Sequence, residues 1–473
     1  MTAAQLRGML GANTHMGWQD TQSWGVANQG NVLRAFLYSG VTLFRDGAPQ
    51  DWNGLFPVYD SLFRNHGIGL CGLVARPDGR DDVPLYARLE ARTPGMLRII
   101  EGENETQRSP DASKADLKTL YTAVKADPVL RHVPVAACST TGANSIETIG
   151  STAGICDMGN DHPYSGTRSP GHSMSSSAAR MEAANPGKAK LQGEFGWSIT
   201  GTGMWSTVTD DDRARFVLIA WMAAALAGVD AAIVYALMDN GPPNSQSNED
   251  TFGLFGQDGG AHASGRAVHN MMAILADAAP PGAAVPGLLT ATVAGGAPNT
   301  LSITKGDGSH WLVLWPADDG PGGPASVTLP GPIDQCHLHD PIHGDIATTS
   351  FPPNSTTLQL TVPNYPVVIE IGKAATAAAV GPASPSGTLV TGTAGNVVDA
   401  AGHSFTLVPS PSRGLQIARD GVVDAPTSQV KVLAWIAGAL YQVNVEGHGW
   451  SKAGGASGVA GEWVRVAAVP MSP

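Results

Sequence analysis

At 473 residues, 42% of them hydrophobic, the chain exceeds one hydrophobic core and can supply two or three globular domains. Only 14% of residues are charged, and 40 acidic against 28 basic side chains leave a formal net charge of −12. That balance disfavours polyanions, so neither nucleic acid nor an acidic membrane surface is an expected partner and a neutral substrate fits better.

The four cysteines, Cys71, Cys138, Cys156 and Cys336, are widely spaced with no CxxC pair, which suggests neither a zinc ribbon nor a disulfide scaffold and leaves one bridge, Cys138 to Cys156, open. No apolar run approaches the roughly 20 residues of a bilayer span, and the start "MTAAQLRGML" lacks a signal-peptide core. A cleaved signal would leave no trace, so the compartment stays open at this point.

In chain order, short apolar runs alternate with helical patterns. The runs are "LRGMLGANTHMGW", "GVTLFRDG", "GIGLCGLVARPDG", "LRIIEGENE", "VPVAACSTTGA", "GICDMGNDHPY", "AKLQGEFGW" and "DAAIVYALMDNG". Eight β/α units close a TIM barrel, so residues 1–286 are expected to form an α/β, (β/α)8 domain. Between the runs, Leu55, Tyr59, Leu62 and Phe63, or Leu117, Leu120, Tyr121 and Val124, recur at helical spacing. The segment "DDDRARFVLIAWMAAALAG" opens on acids and closes on Gly228, as a capped helix does. A last helix is expected over about residues 262–278.

Beyond "DAAPPGAAVPG" the helices stop. Short alternating strands such as "HWLVLWP" and "VVIEIG" predict an antiparallel β-sandwich over 287–372. The Ala/Pro/Ser-rich stretch 373–386 reads as a linker. Residues 387–473 return to β patterning as a small all-β module, whose Trp435, Tyr441, Trp450 and Trp463 could form a carbohydrate platform or a sandwich core.

In a TIM barrel the working residues lie at the C-terminal ends of the strands. The unusual polar residues obey that rule: Asn13, His15 and Trp18 lie in the last part of run one, Arg45 and Asp46 of run two, Asn104 and Glu105 of run four, Asp161, His162 and Tyr164 of run six, Glu194 and Trp197 of run seven, and Tyr235, Asp239 and Asn240 of run eight. Two carboxylates on one mouth are what glycosidic bond cleavage needs, because one protonates the leaving oxygen while the other attacks or activates water. Glu105 and Glu194 are the natural pair.

Here "ENE" on run four and "GEFG" on run seven resemble glycoside hydrolase clan A, the retaining barrel glycosidases. Family 39 and its bacterial relatives look nearest, with family 5 second. The resemblance covers about residues 8–372 and implies Glu194 as nucleophile, Glu105 as acid/base, Arg45 orienting the nucleophile, Asn104 on the sugar 2-hydroxyl, and His162 and Tyr164 of "HPY" beside the nucleophile. It implies no cofactor and no metal. Two departures, "YALMDN" in place of a Trp-rich eighth strand and no Thr before the second Glu, leave the sugar open.

His15, Trp197, Tyr235 and Asp239 complete the expected substrate contacts, with Trp18, Trp24, Trp52 and Trp205 as further candidates for stacking on a pyranose. Each has a bland reading: core packing for any one Trp, a structural hydrogen bond for His15, a loop cap for Asp239. Glu101 and Glu103 lie at even spacing from Glu105, so a regular strand without a bulge would point all three inward, and an extra carboxylate then either shares the site or is neutralised by a cation. The string "QCHLHDPIHGD" looks metal-like but reads as a strand and turn.

The expected function is therefore double-displacement hydrolysis of an oligo- or polysaccharide. A transglycosylase would share every residue, and a glycan-binding barrel would lack a carboxylate. A metal-dependent hydrolase would need more than the single His of "NTHMGW". The architecture favours an extracellular or periplasmic monomer or small homo-oligomer.

Overall fold

The computed structural model describes the chain except residues 20, 141–144, 201–206, 278–289, 297, 318–319, 334, 372–383, 385, 387, 394, 400–402, 411, 420–421, 425, 456–457, 460–462 and 467–473. Two compact units emerge, Met1–Ala374 and Ala375–Pro473. Most of the expected linker, like Trp205, lies outside the described residues.

In the first unit, β1 (Leu10–Asn13), β2 (Leu43–Gly47), β3 (Gly69–Leu73), β4 (Leu97–Glu101), β5 (Val135–Ala136), β6 (Met158–Asp161), β7 (Ala189–Phe195) and β8 (Ala231–Val234) form a closed parallel barrel. All eight expected runs are strands. Their apolar character follows from burial on both faces, inside against one another and outside against helices. The described helices are α1 (Ala3–Met9), α2 (Gln29–Ser39), α3 (Leu55–His66), α4 (Val83–Arg92), α5 (Pro110–Ala126), α6 (Ile146–Ile149), α7 (Gly171–Ala184), α8 (Asp210–Leu226) and α9 (Ala263–Ile274). Helix α8 starts where the Thr209 hydroxyl accepts from the Asp212 N–H, with three acids in the first turn that suit the positive end of the helix dipole. None of the described helices is long and apolar enough to cross a membrane.

The sandwich consists of β9 (Thr292–Gly295), β10 (Pro298–Thr304), β11 (His310–Pro316), β12 (Gly323–Ile333), β13 (Cys336–His339), β14 (Ala347–Ser350), β15 (Ser355–Val362) and β16 (Val367–Ile371). Its sheets run β10-β11-β16-β13-β14 and β15-β12-β9. Strand β11 explains the unbroken run "HWLVLWP": Trp311, Val313 and Trp315 join the core of the barrel, while Leu312 and Leu314 join the core between the sheets.

The second unit holds two small antiparallel sheets around Val397, Phe405, Leu407, Ile417, Leu433, Trp435 and Leu440. Register pairs Trp435 with Leu440 and Leu440 with Lys452, and it pairs Leu433 with Gln442, Gln442 with Trp450 and Trp450 with Arg465. Trp435 and Trp450 thus share the face of Leu433, and Trp463, two residues from Arg465, packs on the same core. Tyr441 points to the opposite face, opposite Ser451, so the four aromatics form no common platform.

All four cysteines are buried free thiols, and no Cys138–Cys156 bridge is present. Cys156 Sγ instead lies 3.3 Å from Thr152 Oγ1. The metal-like string disperses: His339 faces Glu370 at 3.3 Å, His343 faces Asp340 at 2.9 Å, and His337 contacts Ser350.

Candidate active site

Arg45, at the mouth end of β2, is the hub. It is 3% exposed and spends its guanidinium on four side chains. Nε and Nη2 grip Glu101 at 2.5 and 2.9 Å, Nη1 reaches Glu194 Oε1 at 2.6 Å and Asn13 Oδ1 at 2.8 Å, and Nη2 also reaches Asn104 Oδ1 at 2.6 Å. Burial works against that cation, but Glu101 and Glu194 outweigh it and hold the proton firmly.

The question of the three clustered glutamates is answered by where β4 ends. Glu101 is its last residue, fully buried, and also accepts from Asn160 Nδ2 at 2.8 Å. Burial would raise its pKa; Arg45, and after it His162, reverse this and bring it to about 2. Strand alternation stops there. The chain turns, and Glu105 enters the mouth with φ of 47° while its N–H donates to the Ser139 hydroxyl at 2.8 Å. Glu101 is thus the structural anion of the arginine, and Glu105 a loop residue facing the cleft. The Glu103 carbonyl accepts from the Ser139 N–H.

On β7 a register irregularity between Gln192 and Phe195 lets two successive residues serve the mouth. Gly193 is required there, because a Cβ would stand 2.8 Å from Asn160 Oδ1 and 3.0 Å from His162 Nε2. Gly196 is equally forced, since its Cβ would lie 2.1 Å from the Tyr235 carbonyl oxygen. Both glycines of "GEFG" therefore make room around Glu194. Its Oε2 accepts from the Tyr164 hydroxyl at 2.8 Å, and burial next to that carboxylate keeps the phenol protonated.

His162 sits between the two expected catalytic carboxylates. Nδ1 is 3.1 Å from Glu105 Oε1 and 3.7 Å from Glu194 Oε2, and Nε2 is 3.9 Å from Glu101 Oε1. Burial pushes the imidazole down, but Glu194, Glu101 and Glu105 together raise its pKa to about 9. One atom each of Glu105, His162 and Glu194 lie within 4.8 Å of one another, the spacing of metal ligands among the described residues. A cation would have to displace the proton from His162 to use it.

Several expectations need correction. Trp197 is 2% exposed, packed on Phe195 and Phe216 with ring centroids 6.1 and 5.4 Å away, so it has no face for a sugar. Asp239 is also buried, its oxygens taken by the Gly253 N–H at 2.7 Å and by His262 Nε2 at 2.8 Å; it pins the loop after β8. Glu105 is not the carboxyl group of raised pKa that an acid suggests: its hydrogen bond to His162 lowers its pKa, against the effect of burial. His15 and Tyr235 do reach the mouth, with Nε2 and the hydroxyl 3.2 Å apart, next to a cis Tyr235–Ala236 peptide. Asn160 and Ser139 escaped the sequence reading. Asn160 stands two residues beyond the inward-facing Met158, and that period of two was the signal available.

No protein-family model and no curated protein matches the chain. Solved structures do. A family 39 glycoside hydrolase from the gut symbiont Bacteroides cellulosilyticus superposes with a TM-score of 0.56 at 14% identity, over 78% of this chain and 82% of that one. A glucosidase from Croceicoccus marinus gives a TM-score of 0.50 at 14% identity, over 78% and 96%. What these likenesses share with the chain is the fold: a (β/α)8 barrel continued into β-sheets.

Proposed function

We propose that the protein is a retaining glycoside hydrolase acting on an oligo- or polysaccharide, with Glu194 as nucleophile and Glu105 as acid/base. The observation that carries this reading is that one carboxylate oxygen of Glu105 and one of Glu194 lie within 4.8 Å of each other beside His162. A retaining pair stands about 5–5.5 Å apart and an inverting pair about 6.5–9.5 Å, to admit a water. The shared fold with family 39 supports the same reading.

In the proposed cycle Glu194, its charge matched by Arg45 and Tyr164, attacks the anomeric carbon. The proton that the leaving oxygen needs is held between His162 Nδ1 and Glu105 Oε1, and it passes to that oxygen from Glu105. Glu105 then takes a proton from the incoming water, which displaces Glu194 and returns the pair to its starting state. In this cycle Asn104, which accepts from Arg45 Nη2, meets the sugar 2-hydroxyl, and His15 and Tyr235 contact the sugar beside it. Nothing in this cycle calls for a cofactor, and we place the enzyme outside the cytoplasm, as a monomer or small homo-oligomer.

The test is the product's stereochemistry. Hydrolysis of an aryl glycoside followed by proton NMR should first show the anomer of the substrate's own configuration. First appearance of the opposite anomer would overturn the retaining mechanism.

A further inference from the structure

Among the described tryptophans, Trp18 and Trp52 are the strongly exposed ones, at 48% and 77%, and both sit on loops that follow neighbouring strands at the mouth. They differ in support. Among the described residues no ring contact involves Trp52, whereas Trp18 lies flat on His15, with centroids 3.9 Å apart and planes 7° from parallel. With one face covered and half its surface exposed, Trp18 presents its other face to solvent.

The backing is built to stay in place. His15 meets the Tyr235 hydroxyl, Tyr235 accepts from Asn240, and Asn240 accepts from the indole N–H of the buried Trp24 at 2.7 Å. On either side of His15, the Thr14 hydroxyl and the Met16 N–H both donate to Asp46 Oδ2, at 2.7 and 2.8 Å. Burial brings the His15 pKa down to about 4, so the ring is neutral at ordinary pH and the stack carries no charge to hydrate.

A large, flat, neutral apolar face beside polar groups is the chemistry that recognises the C–H face of a pyranose. We infer that Trp18 is a sugar-stacking subsite next to the reacting carboxylates, so that the substrate extends at least one sugar beyond the cleaved bond. This rests on the glycosidase reading. It moves the expected stacking role from Trp197 to Trp18.

The experiment compares Trp18→Ala, Trp18→Phe and Trp52→Ala in the full chain on two substrates of one sugar, an oligosaccharide and the glycosyl fluoride, whose leaving group neither stacks nor needs a proton. For Trp18→Ala, kcat/KM on the oligosaccharide should fall about tenfold further than on the fluoride. Trp18→Phe should recover most of that difference, and Trp52→Ala should show a smaller one. Equal losses on both substrates would make Trp18 a structural prop of His15, and no loss on the oligosaccharide would remove the subsite; either result overturns the inference. A wild-type protein that hydrolyses no glycosyl fluoride would instead defeat the glycosidase reading itself.

Discussion

Inside the barrel, two layers of side chains differ by a single step along each strand. The lower layer is apolar: Leu43, Ile99, Met158, Leu191 and Ile233 pack together with Cys71 and Ala136. Two residues further on, β2 supplies Arg45, β4 Glu101 and β6 Asn160, and hydrocarbon gives way to an ion network. The lower layer gains from excluding water; the upper one holds charges that are costly to bury and tolerable only because each is matched. Stability and chemistry are thus stacked one above the other on the same strands.

Breaking the upper layer at its reactive end should have the largest effect. Glu194→Gln should lower turnover by roughly 10³-fold or more, and Glu194→Gly with azide should recover part of it as a glycosyl azide of inverted configuration. Near-normal activity in the Gln variant would end the proposed mechanism. Next, Glu101→Ala should cost about 3–5 kcal/mol in urea denaturation, because it strips Arg45 of the anion that neutralises it in the interior. A loss under about 1 kcal/mol would mean that Glu194 alone compensates the cation.

The third expectation concerns pH. His162 is raised in the folded state from 6.5 to about 9, so its contribution is complete below pH 6.5 and disappears as pH rises through 9. The wild type should lose about 3 kcal/mol over that window, and His162→Gln should show a flatter profile. Parallel profiles would refute an imidazolium between the carboxylates. The smallest effect belongs to the lower layer: Ile233→Val should cost about 1 kcal/mol and leave kcat/KM within about twofold. A larger kinetic change would show that the two layers are coupled.

The fold was legible because eight short apolar runs alternate with segments of helical spacing, and the sandwich because the helices stop where short β-rich runs broken by Gly, Pro and Asn begin. That Glu194 lies near the end of β7, and that Glu105 lies just past β4, in the loop after Glu101, was legible from the sequence. The burial of Trp197 was not, since it depends on Phe216 from the following helix, a partner that spacing does not reveal. The proton on His162 was equally hidden, because it arises from three carboxylates brought together from β4 and its loop and from β7. For Glu101, position alone left two readings, a share in the site or neutralisation by a cation; that a cation neutralises it, and that this cation is Arg45, 56 positions earlier, took the closed barrel to show.

Strand β11, whose alternate residues serve two cores, has a consequence for how the first unit comes apart. Trp311, Val313 and Trp315 cannot be withdrawn from the barrel without also dismantling the sheet that Leu312 and Leu314 hold together. Barrel and sandwich should therefore melt in one transition, and a version of the chain cut back to its eight β/α units would expose a greasy flank and clump rather than work as a smaller enzyme.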